Sequence, residues 1–288
     1  MTEYRRIVKT QKSRPTMEGA GVRLKRAFGY YDVPLLDPFL MLDDFHSSDP
    51  SDYIAGFPWH PHRGIETVTY MLSGEVKHGD SIGNVGEIDS GDIQWMTAGS
   101  GIVHQEMPQR CEGELWGFQL WVNLPASQKM MDPRYRDIRA DQVPSVSRGD
   151  KVTVKVIAGK VGGVKGPVHD IIAEPEYLDV TISAGGVFEH SIPRGHKVFV
   201  YDLKGDAYFD PAKEETLDHE TLGIYGDGDL LKIEAGDSGI RFLLVSGRPI
   251  GEPVAWRGPI VMNTMAELEV AFDEYERGTF IKSGRAGH

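Results

Sequence analysis

The 288-residue sequence has a single cysteine, Cys111, so no intrachain disulfide can brace the fold. No window approaches the roughly 18 uninterrupted apolar residues of a membrane span, and the opening MTEYRRIVKT lacks an apolar stretch of signal-peptide length. A soluble, reduced, cytoplasmic protein without membrane contact is expected, with the nucleus also open to it in a eukaryotic cell. Basic charge is in deficit: 31 Lys and Arg against 43 Asp and Glu give a net charge of −12. Direct nucleic-acid binding by phosphate neutralisation is therefore not expected. Helical periodicity is scarce too. What the chain does have is 34 glycines and 17 prolines, set as corners between short apolar runs. That pattern points to an all-β chain.

The runs alternate with period two. Ile65–Leu72 places Glu66, Val68, Tyr70 and Leu72 on one face, and Leu115–Val122 sets Trp116, Phe118, Leu120 and Val122 opposite Gln119 and Trp121. Further strands are expected at Val152–Ala158, Tyr177–Ser183, Lys197–Leu203, Leu230–Glu234 and Ile240–Ser246. One helix is expected near the end. Thr264 and Glu267 form a capping box, Met265, Leu268, Phe272 and Tyr275 an apolar stripe, and Gly278 a stop. Pro125–Arg139, running on to about Asp150, reads as a linker. Aligning Gly74 with Gly205 superposes TVTYMLSG on VFVYDLKG, and Gly91-Asp92 and Ala98-Gly99 then find counterparts at Gly228-Asp229 and Ala235-Gly236. Three matches in order suggest a duplicated β-barrel unit. Two domains follow, 1–139 and 140–288, and an intrachain barrel pair makes a monomer the expected state.

Chemistry concentrates in the first half. In Phe57-Pro58-Trp59-His60-Pro61-His62-Arg63-Gly64, two histidines at i, i+2 share one face of a strand, about 6–7 Å apart along the chain. In Gly101–Pro108, His104 and Glu106 repeat that spacing. Alone, either motif also fits solvated side chains on a surface strand. On neighbouring strands the four would converge as three imidazoles and a carboxylate, a set suited to Fe(II) and also to Mn, Co, Ni, Cu or Zn, with two octahedral positions left open. The other histidines, His46, His78, His169, His190, His196, His219 and His288, have no comparable pairing and read as ordinary. The second half lacks the pattern: under the Gly74/Gly205 alignment Ser191 and Pro193 stand where His60 and His62 do, and Lys197 where Glu66 does, so that barrel is expected to be metal-free.

The strings FPWHPHRGIETVTYMLSG, GDIQWMTAGSGIVHQEMP and FQLWVNLP resemble those of the pirin family, within the cupin superfamily. The resemblance is strong over residues 20–140 and rests on strand pattern beyond. It implies two tandem cupin barrels, each a jelly-roll or double-stranded β-helix, followed by the C-terminal helix. It implies one metal, usually iron, in the first barrel, with His60, His62, His104 and Glu106 as ligands. It further implies a quercetin 2,3-dioxygenase-type oxidoreductase, cleaving flavonol-like aromatic substrates with O₂. Such a reaction needs a base for the substrate hydroxyl, either Glu106 or Glu66 behind it. Glu66 shares a face with His60 and His62 if the strand is unbroken, and so reads as a supporting or pocket residue. Arg63, of opposite parity, reads as a structural ion pair. Phe57, Met107 and Gln119 are candidate pocket lining, whereas Trp95 and Met96 fit the barrel core better. The alternative that the resemblance carries is a metal- and redox-dependent protein-binding co-regulator without turnover, and a third is a small-molecule cupin with isomerase or sugar-binding activity.

Overall fold

The computed structural model describes residues 2–282, so His288 lies outside the described residues. The chain forms two compact units. One comprises Pro15–Val33, Phe39–Ala140 and Ile250–His288, the other Met1–Arg14, Pro34–Pro38 and Asp141–Pro249. The expected division into 1–139 and 140–288 differs from these units at the termini. The first strand, β1 (Ile7–Lys12), pairs antiparallel with Thr221–Tyr225 of the second unit, and the described residues from 250 onward belong to the first. Strand pairing is decided by which edges meet in space, and edge identity has no local signature.

The first unit holds a seven-stranded and a four-stranded antiparallel sheet. The larger is built from β2 (Arg14–Glu18), β3 (Val22–Phe28) and β4 (Phe39–Ser47), with four later strands. The smaller begins with β5 (Phe57–His62). Next come β6 (Ile65–Ser73) in the large sheet, β7 (Val76–Asp80) and β8 (Val85–Ile88) in the small one, and β9 (Ile93–Thr97) in the large. Finally β10 (Ile102–Pro108) joins the small sheet, and β11 (Leu115–Asn123) and β12 (Arg134–Ile138) the large one. β10 shows how the pattern positions the site. Ile102, His104, Glu106 and Pro108 are buried while the residues between them are half-buried, so period two turns a histidine and a glutamate inward together.

Part of the expected linker is structure: β12 pairs with β9, and Ser145–Arg148 pairs with Val152–Ala158 in the second unit. In that unit, the strands expected at Leu230–Glu234 and Ile240–Ser246 are one long strand, Leu230–Gly247. Val187–Ser191 pairs along its first part, and Glu176–Ile182 along its second. A core of valine, leucine, isoleucine and phenylalanine fills the unit, Val154, Leu178, Phe188, Leu231 and Phe242 among them. The helix runs Met265–Glu276, capped by Thr264 with Glu267 closing the box. Its buried face is Leu268 and Ala271, whereas Met265 and Tyr275 of the expected stripe are exposed. Among the described residues, no helix is long and apolar enough to cross a membrane.

Candidate metal centre

β5 and β10 run antiparallel with His104 opposite His60 and Ile102 opposite His62. The three rings converge, with centroids 4.8 Å apart for His60–His62, 4.4 Å for His60–His104 and 4.9 Å for His62–His104. Their ligating nitrogens lie within 4.8 Å of one another. Nδ1 of His60 is 2.9 Å from the Pro58 carbonyl, and Nδ1 of His62 is 2.9 Å from that of Pro259. A carbonyl only accepts, so each Nδ1 carries the proton and each Nε2 keeps its lone pair. Those two Nε2 atoms face each other at 3.1 Å. Two lone pairs at that distance repel unless a cation stands between them.

His104 supports the same conclusion from another side. It is fully buried, and neither of its nitrogens has a hydrogen-bond partner. A buried imidazole left unsatisfied costs about 1–3 kcal/mol. A bound divalent ion would meet that need, so these residues fit a transition metal. Burial holds the pKa of His62 and His104 well below the usual histidine range, and neighbouring imidazoles push the same way. Neutral rings are what a metal requires.

This has a pH consequence for the metal-free protein. The unfolded chain binds protons at His62 and His104 near pH 6.5, while the folded chain resists them. Stability is therefore fully present above about pH 6.5 and falls as pH drops below it, by about 1.4 kcal/mol per pH unit per histidine. Chemical denaturation of chelator-treated protein between pH 7 and 5 checks the slope. A slope that His62→Gln leaves unchanged would reject this account.

Glu106 is buried near the trio but does not join it. The β5–β10 register shifts between His104 and Glu106, and the carboxylate falls outside the group of mutually close ligand atoms. Its Oε1 accepts from Thr69 Oγ1 at 2.8 Å, and the Thr69 oxygen is also 3.0 Å from the Gln119 side-chain amide. A hydroxyl has one proton to give. Thr69 donates it to Glu106, and Gln119 completes the chain when its amide nitrogen faces the hydroxyl oxygen.

Glu66 is placed elsewhere. Gly64, at φ +78°, breaks the run between β5 and β6, where a Cβ would collide with the Val261 carbonyl. Beyond the break, Thr69 faces Glu106, so Glu66, three residues away, faces the opposite side of the sheet. There it accepts from Thr97 Oγ1 at 2.7 Å, on the face that also carries Trp95, and burial raises its pKa. Its expected supporting role is corrected by this geometry. Arg63, at the same corner, is buried. It donates to the Ser100 and Phe280 carbonyls and pairs with Glu274 at 2.8 Å.

A cavity of about 610 Å³ opens beside His60, His62 and Glu106. Phe57, Tyr30, Trp121 and Trp256 line it, together with Gln119. Met107 does not, because its parity on β10 turns it to the other face, while Met96 lies in the core. Trp256 and Pro259 come from a short hairpin, Ala255–Arg257 with Ile260–Met262, a contribution from the far end of the chain that local sequence patterns do not announce. His78 was also missed. It is buried, opposite Glu106 on β7, with its ring 5.4 Å from His104 and stacked on Tyr135. The alternation His78-x-Asp80, on a strand parallel in pattern to His104-x-Glu106, was the available signal.

In the second unit, the residues turned inward on Val187–Ser191 are Phe188 and His190, opposite Ile233 and Leu231. The Gly74/Gly205 alignment places Ser191 and Pro193 there, and the strand's own register corrects it, with Ser191 exposed and Pro193 beyond the strand's end. His190 pairs with Glu176 at 2.8 Å. Among the described residues, His60, His62 and His104 are the group of this kind.

Comparison with known proteins agrees with this architecture. The family model for pirin matches residues 21–122, and that for the pirin C-terminal cupin domain matches residues 177–281. A pirin-like protein of Caulobacter vibrioides is 47% identical over 279 residues, covering 96% of this chain and 99% of its own length. Human pirin is 40% identical over 280 residues, covering 96% and 93%. A crystal structure of quercetin 2,3-dioxygenase from Acinetobacter baumannii superposes with a TM-score of 0.89 at 32% identity, covering 96% of this chain and 98% of that one.

Proposed function

The chain belongs to the pirin family of cupin proteins, and from that premise we propose that its first barrel is a metal-dependent dioxygenase acting on flavonol-type substrates such as quercetin. The observation that carries the reading is the trio of His60, His62 and His104: the first two line an aromatic-walled cavity of a size suited to a small ligand, and His104, buried beside them, has both nitrogens unpartnered. A divalent metal held by these residues, with Fe(II) as our choice, would supply Lewis acidity that lowers the pKa of a substrate hydroxyl. Glu106, which the family resemblance makes a fourth ligand, is the base we assign to that hydroxyl. Its Oε1 is oriented by Thr69, and its other oxygen is left to take the proton. Phe57, Trp121 and Trp256 would hold the planar ligand and exclude water from the reacting face.

The test is O₂ uptake and CO release on quercetin by the iron-loaded protein. One CO released per O₂ consumed is expected, with turnover lost in His62→Ala and lowered about 100-fold or more in Glu106→Gln. Equal turnover after His62→Ala would sink the reading. Tight metal binding without any turnover would favour a metal-dependent protein-binding role instead.

A further inference from the structure

We propose that Glu18, Arg26 and Asp43 form a second recognition site in the same cavity, one that selects planar aromatic ligands bearing a phenolic hydroxyl on the ring remote from the histidines and disfavours aromatic acids. The inference rests on the small-molecule reading of the cavity and specifies what its far end distinguishes.

Arg26 on β3 lies directly opposite Asp43 on β4. The pair is bidentate, Nε to Oδ1 at 2.8 Å and Nη2 to Oδ2 at 2.7 Å, and Nη2 also meets Glu18 Oε1 at 2.9 Å. All three residues line the cavity, yet the neighbours that share their face, Leu24, Met41 and Phe45, are apolar. Asp43 is only 3% exposed. An ion pair set into an otherwise apolar wall adds little to stability, because burial of the charges offsets their attraction. It is well suited to orienting a ligand, since a few placed polar groups in an aromatic pocket fix which way a ligand lies.

Position and charge narrow the ligand class. Asp43 is opposite Gln119 on β11, and Gln119 is opposite Thr69 on β6, which holds Glu106. Two strand spacings separate the ion pair from Thr69, about 10 Å. One planar ligand can therefore meet the histidine end with one hydroxyl and this end with another. Two carboxylates around a single guanidinium leave one excess negative charge. Each carboxylate oxygen keeps a lone pair beyond the one given to Arg26, so the site accepts from an O–H. A ligand carboxylate would instead face like charge.

Binding, read by quenching of tryptophan fluorescence, tests this without turnover. The ligands are quercetin, a flavonol without hydroxyls on its pendant ring, and a flavonol with a carboxylate on that ring. Wild type should bind quercetin roughly ten- to hundredfold tighter than the unsubstituted flavonol. The carboxylated ligand should bind more weakly still. Asp43→Asn should reduce the preference for quercetin at least several-fold. Glu18→Gln, at a partly exposed side chain that tolerates exchange, should narrow the gap to the acid, and it carries the test if Asp43→Asn fails to fold. Equal affinities in wild type, or ratios unchanged in the variants, would overturn the proposal. A preserved preference with no O₂ uptake would reject the dioxygenase reading alone, whereas turnover without preference would reject the recognition site alone.

Discussion

Replacing His104 with leucine is expected to strip the protein of bound transition metal and yet raise the melting temperature of its metal-free form. The two effects have one cause. His104 is fully buried with both ring nitrogens unpartnered, so the metal-free fold carries an unsatisfied polar group. Leucine occupies a similar volume and needs no hydrogen bond, which removes a burden of about 1–3 kcal/mol. Metal affinity should fall at least about 100-fold, beyond what loss of a group merely supporting a ligand does. His62→Leu makes the contrast. It also abolishes binding but leaves the Pro259 carbonyl without its donor, so the metal-free variant should be less stable than wild type. Metal content by mass spectrometry, with calorimetry in chelator, reads both quantities. A His104→Leu variant destabilised as much as an ordinary core truncation would mean that the ring serves packing and not a metal.

The histidines were legible because period two is a strong local rule: β10 alternates between buried and half-buried along its whole length, and the i, i+2 spacing of His60 and His62 survives at the end of β5 although that strand does not alternate throughout. The rule failed where a single backbone event reset it. Carried through Gly64, the parity of His60 and His62 puts Glu66 with them, but the left-handed glycine turns the chain and sends Glu66 to the opposite face. Met107 failed more simply, since it is odd where His104 and Glu106 are even. The Gly74/Gly205 alignment found the duplication but not the register, and one residue's slip in a strand exchanges inside for outside. Phe188 and His190 face inward where Ser191 had been set. Least legible were the contributions from afar. Pro259, which fixes the His62 tautomer, and Trp256, which lines the cavity, follow the three histidines by about 150 residues or more, and nothing near them in sequence says where their hairpin docks.

Beside the Arg63 carbonyl and the His62 ring, one buried side chain ties those distant contributions down, and its loss should be strongly destabilising. Lys129 is 1% exposed, a burial that lysine seldom tolerates. Its Nζ donates to the Gly64 carbonyl at 2.8 Å, to Asn123 Oδ1 at 2.7 Å and to the Val261 carbonyl at 3.0 Å. An ammonium has three protons, and all three are used. Burial pulls its pKa down to about 7, with the charges of Glu252 and Glu267 acting the other way. Gly64 follows His62 by two residues and Val261 follows Pro259 by two, so the ammonium joins the two segments whose contact orients the His62 ring. Lys129→Met keeps the apolar stem but takes a donor from three buried oxygens, of which Asn123 Oδ1 keeps the Leu124 N–H. The expected cost is about 3–5 kcal/mol, read in urea as a lower midpoint and in heating as a fall of roughly 10 °C. Metal affinity should drop about 10–100-fold with His60, His62 and His104 all in place, because the Pro259 carbonyl no longer stays in register. A stability loss of that size without any change in metal affinity would show that the clasp supports the fold alone.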